Sequence, residues 1–199
     1  MDYNIKYSKK DFYWGLKPHK LVINSIKYLF PNSKVLDLGC GEGKDSLFLA
    51  KKGLEVTSVD VSEVGIKKLK NIIKKEKLSI KTYILDLKSF LDSCYNFKAI
   101  FCINSLQFIN QKNIISTINK IKDKTESKGF NIISSFVAKN QKQKNNILAK
   151  GKYFFTKGEL KEIYKDWRII FYEEKLGNWE THGEPRHRHF IVKLIAQKY

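Results

Sequence analysis

Glycines and acids alternate along the stretch from Val35 to Gly43, which reads V-L-D-L-G-C-G-E-G. Glycines such as Gly39 and Gly41 let the backbone approach a ligand closely. If this turn precedes a helix, its free N–H groups could hold a carboxylate or a phosphate. Asp60 ends the next apolar run, where an acid can accept both hydroxyls of a ribose. The pattern therefore predicts a site for a nucleoside with a polar tail.

The acids within this stretch discriminate between two types of nucleoside cofactor. A dinucleotide site requires G-x-G-x-x-G against a helix N-terminus, whereas here Asp37 precedes the glycines and Glu42 lies among them. Negative charge beside a pyrophosphate is unfavourable, but it suits a ligand with an ammonium and a sulfonium. We therefore expect S-adenosylmethionine as the cofactor and S-adenosylhomocysteine as its product. The spacing resembles the cofactor motif of class I methyltransferases.

Other residues are expected around the same cofactor. Asp86 follows the third predicted strand and could accept a hydrogen bond from the adenine amino group, or it could only form a turn. Tyr13 and Trp14 could form a flap over the cofactor, or they could pack on the sheet edge. Cys40 lies where a small residue is required, and we do not expect a nucleophile there. The expected cofactor-binding set is Asp37, Gly39, Cys40, Gly41, Asp60, Val61, Asp86, Leu87 and Ile103, with Val61 and Leu87 on the two faces of the adenine.

A second chemically distinctive cluster lies between Thr181 and His189. It contains three of the four histidines and two of the three arginines of the chain. Alternation would place Arg186 and Arg188 on one face and His187 with His189 on the other. Arginine matches the geometry of an oxyanion, and histidine can take a proton near neutral pH. We predict a substrate or anion site; the alternatives are a polar hairpin and, less favoured, a metal site. No metal is expected, because matching carboxylates or thiolates are missing.

Alternating strands and helices must position both groups of residues. Residues 97–103 are nearly all apolar, which predicts a central strand covered on both faces. Residues 139–150 are rich in Lys, Asn and Gln, and they predict a mobile loop. We expect one α/β domain made of an N-terminal flap and helix (1–30), a cofactor-binding core (34–137) and a substrate-side part (151–199). Strands are predicted at 35–38, 55–60, 80–85, 97–103, 130–137, 167–172 and 189–196.

Composition limits the possible functions. The 199 residues carry a formal net charge of +18, but nearly all the positive charge is lysine spread along the chain. This favours a solvated surface over a specific nucleic-acid site. The sequence has no apolar run long enough to span a membrane, and its first residues lack a secretory signal. Three cysteines without a C-x-x-C pair fit a reduced, cytoplasmic setting.

The whole chain from about Trp14 onward resembles the tellurite-resistance methyltransferases, the TehB-like branch of the class I S-adenosylmethionine-dependent enzymes. The resemblance implies a Rossmann-like seven-stranded sheet of order 3-2-1-4-5-7-6, with strand 7 antiparallel. It also implies cofactor contacts from Gly39, Gly41, Asp60 and Asp86, and a basic substrate site near the final hairpin, suited to tellurium or selenium oxyanions. The residues that carry it are Lys17-Pro-His19, 35–43 with Asp45-Ser46, 59–62, 155–160, Asp166-Trp167, 172–174 and the Arg/His cluster.

We therefore expect a methyltransferase for a small anionic or soft acceptor such as tellurite, selenite or a thiol. Arg186 and Arg188 would position this acceptor, and His187 or His189 could deprotonate a thiol or hydroxyl. One alternative is an RNA or protein methyltransferase that uses the basic surface, and another is a non-catalytic nucleoside-binding module. We expect no specific nucleic-acid partner, and either a monomer or a homodimer.

Overall fold

A seven-stranded sheet with helices on both faces organises the part of the chain that the computed structural model describes, residues 3–179 and 188–199. The strands are β1 Lys34–Leu38, β2 Glu55–Asp60, β3 Ile80–Ile84, β4 Phe97–Ile103, β5 Thr125–Val137, β6 Arg168–Leu176 and β7 Phe190–Gln197. The helices are α1 Tyr3–Tyr7, α2 Lys20–Ser25, α3 Lys44–Lys51, α4 Glu63–Glu76, α5 Leu87–Ser93, α6 Gln111–Asp123, α7 Gln141–Ala149 and α8 Glu159–Ile163. Two short 3-10 turns span Ile26–Tyr28 and Leu106–Phe108.

The strand order is β3-β2-β1-β4-β5-β7-β6. Strands β1 to β5 pair in parallel, while β7 runs antiparallel between β5 and β6. The predicted order and the antiparallel β7 are therefore confirmed. Because the chain moves outward in both directions from β1 and β4, a crevice opens beyond the carboxyl ends of these strands, where ligands bind in open α/β sheets.

Strand β4 is the centre of the core, as its apolar composition predicts. Phe97, Ala99, Ile100, Phe101 and Cys102 have no exposed surface. One apolar layer on a face of the sheet contains Leu91 and Ile118 from α5 and α6, and the other contains Leu49 from α3. Burial of both faces leaves the functional groups of this strand only at its carboxyl end.

The prediction of a mobile loop at 139–150 is wrong. This segment contains helix α7, whose first turn is capped by Asn140, since its side chain accepts a hydrogen bond from Gln143 N at 2.9 Å. Lys, Gln, Leu and Ala have good helix propensity. Lys144 also forms an ion pair of 3.1 Å with Glu159. Low apolar content therefore indicated a weakly buried helix rather than an unstructured loop.

None of the helices within the described residues is long and apolar enough to cross a membrane.

Candidate active site

A glycine-rich turn joins β1 to α3 at the carboxyl edge of the sheet. Gly39 and Gly41 adopt positive φ angles of 80° and 56°, which L-residues with a side chain rarely adopt. A Cβ atom on Gly39 would lie 2.2 Å from Ser105 Oγ, and one on Gly41 would lie 2.7 Å from the Tyr7 hydroxyl. The motif therefore needs glycine both for its backbone conformation and for the close approach of neighbouring elements.

The expectation that the N–H groups of this turn are free to bind an anion is wrong for three of its residues. Gly39 N and Cys40 N donate to the Val59 carbonyl at 2.8 and 3.0 Å, and Gly41 N donates to Asp60 Oδ2 at 2.7 Å. The end of β2 lies beside the turn and supplies the oxygen atoms that accept these hydrogen bonds. The turn therefore supplies shape and acidic neighbours, not an anion cradle.

Asp37, Glu42 and Asp45 are buried carboxylates around the turn, and Asp60 is half-buried. Asp37 is 2% and Asp45 is 5% exposed, and Asp37 accepts a hydrogen bond from Ser46 Oγ at 2.5 Å. Burial, followed by the charge of Asp45, raises the pKa of Asp37 to about 7. Burial also raises the pKa of Asp60 and of Asp45. Desolvated carboxylates favour a nearby cation, which fits the ammonium and sulfonium of the expected cofactor.

The Asp60 carboxylate is held in place by the backbone. Its Oδ2 accepts from Gly41 N at 2.7 Å, and its Oδ1 accepts from Ser62 N at 2.8 Å. These backbone donors hold the carboxylate in place at the edge of the cavity. A carboxylate has about four lone-pair positions, and the ribose contact of Asp60 stays a prediction.

Glu42 has a structural partner that local sequence did not reveal. Its two oxygens accept from Lys68 Nζ and from Tyr13 N, both at 2.7 Å. Lys68 also donates to the carbonyls of Lys9 and Asp11. Glu42 is therefore paired with a lysine and anchors the N-terminal segment, residues 3–19, against the site.

This N-terminal segment supplies aromatic side chains to the cavity. Tyr3, Tyr7, Tyr13 and Trp14 all line it, and the rings of Tyr13 and Trp14 lie 4.8 Å apart at 88°. Tyr13 and Trp14 therefore lie at the cavity, and their role as a flap over the cofactor stays a prediction. Tyr3 and Tyr7 were missed by the sequence analysis, although their i, i+4 spacing on a helix was the signal that could have revealed them.

One cavity of about 1030 Å³ extends along the carboxyl ends of the central strands. Its volume lies at the upper end of the range for small-molecule sites, which leaves room for an acceptor beside a cofactor. The residues predicted to bind the cofactor all line it: Asp37, Gly39, Cys40, Gly41, Asp60, Val61, Asp86, Leu87 and Ile103.

Asp86 has an observed structural role, and its contact with the adenine stays a prediction. Its Oδ1 caps α5 by accepting from Ser89 N at 3.0 Å, and its contacts with Ser89 lower the pKa of this exposed carboxyl. Asp86 also lines the cavity. Val61 is 58% exposed, an unusual exposure for valine that a stacked adenine ring would reduce.

Aromatic and basic side chains form the far end of the cavity, which we call the acceptor end: Phe136, Lys150, Lys152, Phe154 and His189. His189 stacks on Phe136 with ring centres 4.2 Å apart and an angle of 16°. Phe154 meets the same imidazole edge-on. The structure therefore brings His189 into the cavity, together with two lysines that the sequence analysis did not select.

Arg188 lies elsewhere. Its guanidinium stacks 4.3 Å above the Trp179 ring, and it is not among the cavity-lining residues. Arg186 and His187 lie outside the described residues. Among the residues that are described, no three His, Cys, Asp or Glu side chains cluster closely enough to hold a metal ion.

The sheet order, the glycine-rich turn and the acid at the end of β2 define a class I S-adenosylmethionine-dependent methyltransferase. A crystal structure of TehB from Haemophilus influenzae, 28% identical, superimposes with a TM-score of 0.79 over 99% of this chain and 66% of that chain. A methyltransferase of Methanosarcina mazei, 18% identical, shares the fold with a TM-score of 0.72, covering 92% of this chain and 98% of that one.

The family described as "Tellurite resistance protein TehB" matches residues 4–192, and the chain belongs to this family. The curated Haemophilus influenzae protein "Probable S-adenosyl-L-methionine-dependent methyltransferase TehB" is 33% identical over 96% of the chain. The chain spans 68% of the length of that relative. The predicted family, enzyme class and cofactor are thereby confirmed.

Proposed function

We propose that this enzyme transfers the methyl group of S-adenosylmethionine to a small anionic or soft acceptor, such as a tellurium or selenium oxyanion or a thiol. The observation that carries the proposal is the acceptor end of the cavity. There Lys150 and Lys152 supply positive charge, and Phe136 and Phe154 supply polarisable walls around His189. A basic and aromatic end suits an anion or a polarisable atom more than a neutral sugar or a cationic amine.

The residues around the glycine turn fit the cofactor. Asp60 would hold the ribose hydroxyls, Val61 and Leu87 would enclose the adenine, and the carboxylate of Asp37 would attract the ammonium. The bound cofactor supplies a methyl group on a positively charged sulfur that leaves readily. The N-terminal segment would exclude water, and the acceptor end would align the acceptor with the methyl group.

His189 and Arg188 have separate proposed roles. The imidazole of His189 faces the cavity between two phenylalanines, where it could take a proton from an acceptor that arrives as a thiol or hydroxyl. Arg188 carries a planar cation one residue earlier. In the proposed role, the guanidinium would leave Trp179 and form a bidentate contact to an anionic acceptor. Arg186 and His187 remain candidates for the same roles.

A macromolecular acceptor is less well supported. The N-terminal segment contributes four aromatic residues to the cavity wall and is anchored by Glu42 and Lys68. An RNA base or a protein side chain would have to displace this segment or enter beside it. The surface lysines alone would give weak, salt-sensitive binding without base selection.

Methyl transfer from labelled S-adenosylmethionine to a panel of acceptors tests the proposal. The panel contains tellurite, selenite, low-molecular-weight thiols, RNA and lysate protein. We expect label on at least one of the small acceptors. Label confined to RNA or protein would contradict the proposal and favour the macromolecular alternative.

Arg188→Lys tests the role of the planar guanidinium at constant charge. If Arg188 binds an anionic acceptor, kcat/KM should fall about tenfold, or about 1.4 kcal/mol, with unchanged cofactor affinity. Arg168→Lys is the matched control, because Arg168 is an exposed residue at the start of β6. Equal kinetics in both variants would remove Arg188 from the site and leave it as a surface residue stacked on Trp179.

A further inference from the structure

The Glu159 carboxylate accepts four hydrogen bonds beside the acceptor end of the cavity. Its Oε2 accepts from Thr156 N at 2.7 Å, from Thr156 Oγ1 at 2.8 Å and from Lys144 Nζ at 3.1 Å. Its Oε1 accepts from the Tyr153 hydroxyl. Burial opposes ionisation at this position, but the hydrogen bonds from Thr156, Tyr153 and Lys144 outweigh it and lower the pKa of Glu159. The carboxylate is therefore charged at neutral pH, and it joins two segments that contribute to the cavity.

The first of these segments contains Tyr153. Its two neighbours, Lys152 and Phe154, line the cavity, whereas Tyr153 is 4% exposed and packs in the apolar core. Tyr153 N donates to the Gln107 carbonyl at 2.9 Å, and the hydroxyl donates to Glu159. Tyr153 is thus held through its backbone and through the tip of its side chain, and it fixes the residues on either side of it.

Helix α7 is the second segment that Glu159 holds. Lys144, Ile147 and Leu148 are half-buried, and their i, i+3 and i, i+4 spacing places them on one face of the helix. Ile147 lines the cavity, as does Lys150 directly after the helix. The Lys144 ammonium pairs with Glu159 and lies 4.9 Å from the centre of the Tyr153 ring. The pair therefore connects α7 to the segment that contains Tyr153.

Little buried surface holds α7 otherwise. None of its nine residues, all of which the structure describes, is fully buried, and a segment with few buried apolar contacts opens locally at low free energy. The side chains of Lys144 and Glu159 are only 12% and 21% exposed, so solvent and salt screen this pair less than a surface pair. We therefore expect the pair to determine how much of the time α7 lies in place.

We propose that Glu159 is a positioning residue for methyl transfer, which holds α7 through Lys144, and residues 152–154 through Tyr153, in the arrangement that binds the acceptor. The inference rests on the proposed function, because the two segments carry three residues of the acceptor end. Glu159 itself does not line the cavity. Without the ion pair, α7 spends less time in place, and the apparent affinity for the acceptor falls with the fraction that remains in the binding arrangement. A saturating acceptor restores that arrangement, so KM should rise while kcat stays nearly constant.

The substitutions Glu159→Gln and Lys144→Met test the proposal. Glutamine can still accept from Thr156 N and donate to the Tyr153 hydroxyl, so the change mainly weakens the ionic contact with Lys144. Methionine removes the same contact from the other side and keeps good helix propensity.

Steady-state kinetics are measured with selenite, or with the panel member that takes up most label if selenite is not methylated. Each variant should raise the KM for this acceptor about fivefold, while kcat and the affinity for S-adenosylhomocysteine change less than about twofold. Because both substitutions remove one contact, the double variant should be no worse than the more affected single variant, whereas independent effects would multiply to about 25-fold.

Lys142→Met and Glu162→Gln are the matched controls, since Lys142 is exposed on α7 and Glu162 is exposed on α8. Amide hydrogen exchange in the complex with S-adenosylhomocysteine gives a second readout that needs no turnover. Exchange in residues 141–154 should be faster in Glu159→Gln and Lys144→Met than in the wild type and the two controls. Faster exchange with an unchanged KM would assign the pair a purely structural role and overturn the proposal, as would a loss confined to kcat.

Failure of the proposed function has a different signature. If only RNA or protein is labelled in the acceptor panel, the proposed function fails, and the role of Glu159 is then tested by the KM for that acceptor. Unchanged exchange in residues 141–154 of both variants would overturn the role of Glu159 whichever acceptor is labelled.

Discussion

The substitution Asp60→Ala tests the proposed role of the carboxylate at the end of β2 in cofactor binding. The Asp60 carboxylate accepts from the backbone nitrogens of Gly41 and Ser62, and in the proposed role it also accepts from the ribose hydroxyls. Alanine removes all of these acceptors. We therefore expect two separable effects, a loss of cofactor affinity and a loss of order in the glycine turn.

The expected loss of cofactor affinity follows from the number and type of hydrogen bonds that Asp60 makes. A hydrogen bond to a charged group contributes about 1.5–3 kcal/mol. Asp60 is partly desolvated, and burial raises its pKa, so part of this gain offsets the cost of holding the charge. We expect a net loss of roughly 1–3 kcal/mol in cofactor binding, or about a 5- to 150-fold higher Kd.

Calorimetric titration with S-adenosylhomocysteine measures the affinity, and an analogue without the two ribose hydroxyls separates the two effects. If Asp60 binds the ribose, the analogue should bind the wild type and Asp60→Ala with similar affinity. An equal loss for both ligands would assign the effect to the order of the turn. Unchanged affinity for S-adenosylhomocysteine in a folded Asp60→Ala protein would refute the ribose assignment.

Two further predictions concern stability. Lys68→Met should destabilise the protein by about 3 kcal/mol, because it leaves the buried Glu42 charge without its lysine. Lys165→Met, which breaks an exposed pair, should change stability by less than about 1 kcal/mol, and equal effects in urea denaturation would contradict the anchoring role. The raised pKa of Asp37, about 7, means that the native state keeps a proton that the unfolded chain loses near pH 4. The contribution of Asp37 to the stability of the cofactor-free protein should therefore fall as pH rises from about 4 to about 7. Asp37→Asn should remove this contribution, so the stability difference between the two proteins should change over this range, and parallel pH curves would refute it.

The structural features that depend on residues close together in sequence were predicted correctly in the first βαβ unit. The strand–turn–helix unit at 34–51 and the acid at the end of β2 depend on apolar runs, glycines and a carboxylate within one βαβ unit, and local rules describe such units well. The strand order came from the family resemblance and not from periodicity, because hydrophobic patterns do not specify which strands are neighbours. The burial of β4 followed from its composition. Apolar side chains on both faces of a strand are all buried only where the strand is central and both faces of the sheet are covered.

Helix α7 shows the limit of composition. The sequence of 141–149 has good helix propensity but lacks an apolar stripe. Leu148 packs against the core, and Lys144 pairs with Glu159, which follows the next loop. Nothing within the segment indicates that partner.

The acidic residues of the turn show what only the tertiary structure decided. The sequence shows Asp37 and Glu42 within the same short motif. In the folded chain, however, Asp37 is desolvated, whereas Glu42 pairs with Lys68 on α4. Charge and hydrogen-bonding capacity belong to the residue type and can be read from the sequence. Whether a group is desolvated, paired or left unsatisfied depends on residues distant in sequence, which only the folded chain brings together.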